Sequence, residues 1–410
     1  MMDVREAALK LHRENQGKLA VVSKVPLSSR HDLSLAYTPG VAEPCKDIKN
    51  NKDLSFELTC RGNMIAVVSD GTRVLGLGDI GPEAAMPVME GKAVLFKAFG
   101  DVDAVPICLD TKDPDKIIET VKLLQPTFAG INLEDFSSPK CYDIEDTLKA
   151  QMDIPVFHDD QHGTAIAAVS ALIGALRFVK KNLAEVKIVV NGAGAAGTAI
   201  GRLLVNAGAK NVIMVDVHGA LYKGMPGLNR VQTELAKVTN LTKLEGNLEQ
   251  VSKYADALIG VSAPGAFTKE IIQNMNPDPI IIAMANPVPE ISYEDAKAAG
   301  ARVAGTGRSD APNQVNNVTV FPGVFRGALD VRAHQINEAM KLAAVYAIAD
   351  LIPENELKED YVVPAVFDPR VAPAVAAAVA KAAMETGVAR IKADPEEIRK
   401  KTAERVARNR

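Results

Sequence analysis

Four cysteines, Cys45, Cys60, Cys108 and Cys141, are all this chain contains, and no two form a CxxC pair. That spacing excludes a zinc ribbon and a disulfide framework, and it fits a reducing cytoplasmic setting in which all four are buried structural thiols. Nor does any run approach 18 uncharged apolar residues with membrane flanks; the Ala/Val-rich stretch 371–384 is too short. The N-terminal MMDVREAALKLHRENQGK is charged and amphipathic and has no apolar signal-peptide core. Charge of one sign is not in excess either. A formal net charge of −4 on 410 residues argues against a nucleic-acid or anionic-membrane partner. Internal repeats and low-complexity linkers are absent.

What remains is a globular composition, 47% hydrophobic and 24% charged, long enough for two or three domains. Residues 3–14 read as an amphipathic helix with Val4, Ala8 and Leu11 on one face. MIAVVSDGTRVLGLGDIG (64–81) reads as a hairpin turning at Asp70-Gly71. A helix at MEGKAVLFKAFG, a strand at DAVPICLD, a helix at DPDKIIETVKLLQP and a strand at FAGINLED follow, an alternation that makes the first domain α/β. The apolar segment 164–179 is a helix linking two domains. Beyond it, strands are expected at VKIVVNG, NVIMVDV, ADALIGVS, PIIIAMANP and RVAGTG, with VTVFPG a further candidate. Helices between them give a doubly wound, Rossmann-like parallel sheet. Residues 330–387 read as mostly helical. The expected division is an N-terminal domain over 1–160, a dinucleotide-binding domain with a helical C-terminal part over 161–387, and a charged tail over 388–410. The last part of that tail, 395–410, is expected to pack loosely or against another subunit.

VKIVVNGAGAAGTAIGRLLVNAG (186–208) carries a dinucleotide fingerprint. Gly192, Gly194 and Gly197, with Ala193, Ala195 and Ala196 between them, satisfy GxGxxG between an apolar strand and an apolar helix. The glycines allow a tight turn, backbone approach to a pyrophosphate and close helix packing, while the helix N-terminus faces the phosphates. A second strand ending in Asp216 stands at the proper spacing to bind ribose hydroxyls, which favours NAD over NADP. Lys223 and His218 just beyond it keep NADP open.

VFHDDQHGTAIA (156–167) concentrates two aspartates, two histidines and a glutamine in five positions. A zinc reading uses His158 and His162, an i, i+4 pair. A magnesium or manganese reading uses Asp159 or Asp160 with carboxylates from elsewhere. A third reading is that the acids only begin the apolar helix that follows. LEDF (133–136) offers Glu134 and Asp135 at a strand end. Adjacent strand side chains face opposite ways, so both reach one ion only if the backbone turns there. With HDDQHG the pair becomes a candidate hard-cation site.

Tyr37 in AYTPGVAEP, Lys92 in MEGKAVLF and Arg73 after DGT are by residue type a half-buried packing residue, a surface lysine and an ordinary hairpin cation. Asn286 in AMANPVPE and Asn313, Asn316 and Asn317 in NQVNNVTVFPG suit turns, but they also fall where parallel sheets bind ligands.

These pieces occur together in one family. Through LSLAYTPGVAEPC, VVSDGTRVLGLGDIGPEAAMPVMEGKAVLFK, GINLEDF, VFHDDQHGTA, NGAGAAG, MANPVPE and GTGRSDAPNQVNNVTVFPGVFRGALD, the chain resembles the short bacterial malic enzymes from about residue 3 to 387. The resemblance implies an active site in the cleft between the two domains and oxidative decarboxylation of L-malate to pyruvate and CO2 with NAD or NADP. It implies Glu134, Asp135 and Asp160 as ligands of Mg2+ or Mn2+, so the carboxylates and not the histidines hold the ion. Lys92 corresponds to the general base and Tyr37 to the general acid, and Asp159 sits where it orients the lysine or a ligand. Arg73, Asn286 and Asn317 or Asn316 correspond to substrate contacts. Burial and the cation are expected to depress the lysine's pKa. A homodimer or higher assembly is also implied. A malolactic or oxaloacetate-decarboxylating enzyme of the same family is the nearest alternative, followed by a non-decarboxylating dehydrogenase and an inactive dinucleotide-binding regulator.

Overall fold

The computed structural model describes residues 3–74 and 76–409. Leu75, in the expected hairpin, and Arg410, at the end of the tail, lie outside them. Four short strands form the first sheet: β1 (Met64–Ser69), β2 (Asp103–Cys108), β3 (Gly130–Leu133) and β4 (Val156–His158), in the order β2-β1-β3-β4. All its pairs are parallel. Ile65, Ala66, Val67 and Val68 are fully buried, because helices cover both faces of a parallel sheet.

A second sheet is built from β5 (Lys187–Asn191), β6 (Asn211–Asp216), β7 (Gly219–Ala220), β8 (Ala257–Gly260), β9 (Ile280–Ala283) and β10 (Val303–Thr306). Its order is β10-β9-β8-β5-β6-β7, with only β7 antiparallel. The chain therefore reverses its winding between β5 and β8, and the crevice outside their carboxyl ends is where such sheets bind ligands.

The helix Asp159–Val179 joins the two halves. By length and composition it is apolar enough to cross a bilayer, yet here 15 of its 21 residues are buried inside the protein. It packs against the helices Ala195–Asn206 and Glu338–Ala349. The helix Phe321–Asp330 crosses back to Pro82–Gly100, where Phe96 and Phe321 have ring centroids 4.5 Å apart. Each buried aromatic of this kind contributes roughly 1.5–3 kcal/mol of transfer free energy.

Several sequence expectations need correction. Residues 64–81 do not form a hairpin. β1 runs parallel to two neighbours, and the chain beyond Asp70 turns across the sheet end with a single bridge between Val74 and Gly78. Asp70 drives this turn: its buried carboxylate accepts from Thr72 N (3.1 Å) and Oγ1 (2.6 Å) and pairs with Lys140. VTVFPG is a 3-10 turn leading into a helix, not a strand. Cys45 and Cys60 are exposed and Cys108 half-buried, leaving Cys141 as the one buried thiol of the four. The tail forms a helix, Pro395–Arg408, that buries Ile398, Thr402 and Val406 and pairs Arg405 with Asp330 on its own chain.

Candidate active site

β3 ends at Leu133, and Asp135 then adopts φ +59°. That left-handed turn, which aspartate tolerates better than most residues, removes the strand alternation that would have pointed Glu134 and Asp135 apart. Asp135 N donates to Asp160 Oδ2 at 2.7 Å, tying the turn to the first residues of the Asp159–Val179 helix. Each of Glu134, Asp135 and Asp160 offers one carboxylate oxygen within 4.8 Å of the others.

Lys92 lies on the buried face of Pro82–Gly100 with Met89, Phe96 and Phe99, at helical spacing. It is no surface lysine: its side chain is 8% exposed. Its Nζ stands 2.5 Å from Asp159 Oδ2 and 2.9 Å from Glu134 Oε1, and 4.1 Å from the ring centroid of Phe321. Asp159 is fully buried, and Asn317 Nδ2 donates to the same Oδ2 that takes the lysine, whereas Asp159 Oδ1 has no hydrogen-bond partner.

The charges are crowded. Burial pushes the Glu134 carboxyl up to about 8; Lys92 opposes that, and Asp160 and Asp159 add to it by repulsion. Burial disfavours charged Lys92 as well, but Asp159 and Glu134 outweigh it and hold the ammonium above its ordinary range. Without a cation, two carboxylates in direct contact decide the sign. Three hard oxygen donors in a site with surplus negative charge suit Mg2+ or Mn2+ and not zinc. Of the histidines, His158 stands behind the cluster with Nε2 3.1 Å from Asp160 Oδ2, and His162 faces away from it. His162 is bound between Glu145 and Lys341, and His158 Nδ1 faces Gln161.

The dinucleotide loop follows β5. Gly192 has φ +109°, and a Cβ there would lie 2.6 Å from Val261 O; a Cβ on Gly197 would lie 1.7 Å from Gly192 O. Gly194 faces open space and begins the Ala195–Asn206 helix without a side-chain cap, so the first N–H groups are left to a phosphate. Ala193 is buried, and Ala195 and Ala196 form the first helical turn. Asp216 ends β6, with Oδ1 accepting from His218 N at 2.7 Å.

The two halves meet over this ground. Asn286, beyond β9, lies beside Gly307 beyond β10, and a Cβ on Gly76 of the first domain would be 2.4 Å from Pro287 Cδ. Arg73, exposed, donates its backbone N–H to Asp135 O at 2.9 Å. Of the two neighbouring asparagines, Asn317 reaches Asp159, while Asn316 accepts from Val318 N and caps the 3-10 turn. Asn313 is buried and bonds Ala304 O and Glu359 O. Tyr37 is not brought to the lysine. It follows the Arg30–Ala36 helix and is 67% exposed.

Sequence reasoning missed Phe321 beneath the ammonium, Asn132 donating to Glu134 Oε2 (2.8 Å), and Glu290. The fully buried Glu290 accepts from Ser262 N (2.7 Å) and Ala285 N (3.0 Å), bracing the loops after β8 and β9. Its only sequence signal was an acid in NPVPE. A cavity of about 190 Å3 lies behind the cluster, among the helices bearing Glu145, His162, Arg202 and Lys341, and not over the carboxylates.

Comparison with known proteins accords with this geometry. Residues 16–149 match the malic enzyme N-terminal domain and residues 161–384 the malic enzyme NAD-binding domain. A bifunctional malic/malolactic enzyme of Bacillus subtilis is 62% identical over 98% of both chains. An NAD-dependent malic enzyme of Geobacillus stearothermophilus is 54% identical over 91% of this chain and 78% of its own. A crystal structure of malic enzyme from Pyrococcus horikoshii superposes with a TM-score of 0.95 at 47% identity, covering 98% of this chain and 96% of that one. With both malic enzyme domain models matched in sequence along most of its length and a relative 62% identical over 98% of both chains, the chain belongs to the malic enzyme family.

Proposed function

We propose that this chain catalyses the divalent-cation-dependent oxidative decarboxylation of L-malate to pyruvate and CO2, reducing NAD or NADP. The observation that carries the reading is Lys92, buried between Asp159 and Glu134 at the edge of a three-carboxylate cluster. A plain hydride transfer has no use for that cluster.

Glu134, Asp135 and Asp160 would hold a divalent cation, which would supply Lewis-acid polarisation of the substrate oxygen on C2. Lys92, neutral when it acts, takes the C2 hydroxyl proton as hydride passes from C2 to the nicotinamide, and Asp159 and Glu134 hold its amine in place. Arg73 pairs with a substrate carboxylate; Asn286 and Asn317 hold its polar edge. Loss of the C4 carboxyl group leaves enolpyruvate, which Tyr37 protonates at C3. The open backbone at Gly194 receives the pyrophosphate, and Asp216 takes the ribose hydroxyls, favouring NAD.

The position of Tyr37 supports a homodimer in which each chain supplies that acid to its partner. The segment carrying it is tied at both ends to the amino ends of the strands, through Lys24 to Asp103 (3.4 Å) and Asn63 to Asp103 (3.0 Å). The cluster lies at the carboxyl ends, roughly 20 Å away across a six-residue strand. No residue from 3 to 63 is buried, and Val21, Val22, Leu27 and Leu35 stand exposed on the same stretch of chain as Tyr37. An apolar arm of that size is suited to covering by a second copy.

The test is turnover of L-malate with Mn2+, using NAD and NADP separately, followed by the absorbance of reduced nicotinamide with pyruvate and lactate assayed at the end. Equal amounts of reduced cofactor and pyruvate support the proposal. Lactate without net reduced cofactor supports the malolactic reading, which the Bacillus subtilis relative's name brings forward. No turnover with either coenzyme overturns both.

A further inference from the structure

Glu145, on the helix Lys140–Gln151, touches none of the groups assigned to the reaction, yet its 3%-exposed carboxylate organises the turn that bears Asp159 and Asp160. It accepts from His158 N (3.1 Å), from Gln161 Nε2 (3.0 Å) and from His162 Nε2 (2.9 Å), and Lys149 Nζ stands 2.5 Å away. His158 is the N-cap residue of the Asp159–Val179 helix and has no capping side chain of its own, so Glu145 satisfies the backbone donor at that helix start.

The same carboxylate fixes a direction of hydrogen bonding. An ionised carboxylate only accepts, so Gln161 must turn its amide nitrogen toward Glu145. That nitrogen also lies 2.9 Å from His158 Nδ1, which therefore accepts, leaving the imidazole hydrogen on Nε2. His158 Nε2 in turn lies 3.1 Å from Asp160 Oδ2, off the line of an ideal hydrogen bond, beside the Asp135 N–H that donates to the same oxygen. On the far side His162 Nδ1 accepts from Lys341 Nζ at 3.0 Å, which leaves its Nε2 hydrogen for Glu145 and fastens the turn to the helix Glu338–Ala349.

We propose that Glu145 is a positioning residue that sets the cation affinity of the Glu134–Asp135–Asp160 cluster, acting through Gln161 and His158 on the orientation of Asp160. The inference rests on the proposed cation site. It gives the two histidines of HDDQHG their work: neither is a ligand, and one turns a carboxylate that is. Partners of metal-binding side chains commonly control affinity in this way, with losses of about 10–100-fold on removal.

The experiment measures Mn2+ binding to the full-length protein by electron paramagnetic resonance, without substrate or coenzyme, alongside 15N resonances of the histidines. Glu145→Gln can present an amide N–H where only an acceptor stood. It is expected to weaken Mn2+ binding by about tenfold or more and to move the His158 hydrogen from Nε2 toward Nδ1. Asp146→Asn, a neighbouring exposed acid on the same helix, is expected to change neither. Gln161→Met cuts the relay while keeping the bonds of Glu145 to His158 N and Lys149, and is expected to weaken Mn2+ binding in the same direction. It decides the matter if Glu145→Gln does not fold. A Glu145→Gln protein that melts lower but binds Mn2+ as tightly as wild type overturns the inference, because the residue is then structural only. Wild-type protein that binds no Mn2+ overturns the cation reading itself.

Discussion

Lys92 Nζ and Asp159 Oδ2 are 2.5 Å apart, a pair drawn from a helix of the first domain and from the first residue of the helix joining the two halves. Removing the lysine leaves Asp159 and Glu134 buried without their cation, so two effects are expected of Lys92→Ala. Malate oxidation falls by about 100-fold or more, in the range of a lost general base, while coenzyme binding is retained. Thermal stability also falls, because an uncompensated buried carboxylate costs several kcal/mol, roughly 3–5, and added Mn2+ restores part of it. Steady-state rates and melts with and without Mn2+ check both, and undiminished turnover removes Lys92 from the mechanism.

Gly163 illustrates how a contact overrides helix propensity. In an exposed helix Gly→Ala is worth about 1 kcal/mol of added stability. Here the added Cβ would fall 1.8 Å from Asp159 Oδ1 and 3.2 Å from Asn317 Cβ. Gly163→Ala must push Asp159 away from Lys92 or displace the helix start. The expected outcome is a lower melting temperature and a loss of turnover greater than any change in coenzyme binding. A variant more stable than wild type with full activity would show that the turn around Asp159 is looser than the structure has it.

Lys341 gives a pH dependence. Burial, followed by the charge of Lys149, lowers its pKa to about 8, against the opposing pull of Glu338 and Glu145. An unfolded lysine titrates near 10.4, so between about pH 8 and 10.4 the unfolded chain holds a proton that the folded chain has shed. Stability from this group therefore rises with pH across that window, and the cost of its buried charge is fully present below pH 8. Lys341→Met lacks the contribution. Melts of both proteins from pH 7 to 10 are expected to show wild type gaining on the variant as pH rises, by up to about 3 kcal/mol. A pH-independent difference would contradict the depressed value.

The parts of this molecule legible in its sequence are those set by local pattern. The strands around NGAGAAG and at PIIIAMANP are continuous apolar runs, and the fingerprint glycines sit where backbone contacts demand them. Glu134 and Asp135 come together by strand-end logic once a turn at Asp135 is allowed, whereas the choice of Asp160 over Asp159 rests on the family resemblance. What escaped depends on groups far apart in the chain. DGT reads as a hairpin turn because Lys140, the partner that buries Asp70, is 70 residues away. Lys92 and Glu145 look like surface residues until the fold supplies their counter-charges. At Lys92 two carboxylates from distant segments outweigh burial for the same reason. β4, three residues long, is too short to carry a period.

Tyr37 provides the sharpest test of the proposed assembly, because cis and trans delivery of the acid predict different outcomes for mixed dimers. Tyr37→Phe and Lys92→Ala chains are each expected to be inactive in malate oxidation to pyruvate when assembled alone. If the acid crosses between copies, a mixed dimer contains one site with an intact lysine from one chain and an intact tyrosine from the other. Random reassortment of equal amounts then restores about one quarter of wild-type activity, since half the dimers are mixed and each has one working site. If the acid acts within its own chain, every site in the mixture lacks one group and nothing is recovered. The exposure of Tyr37 and the attachment of its segment at the far end of the sheet favour recovery.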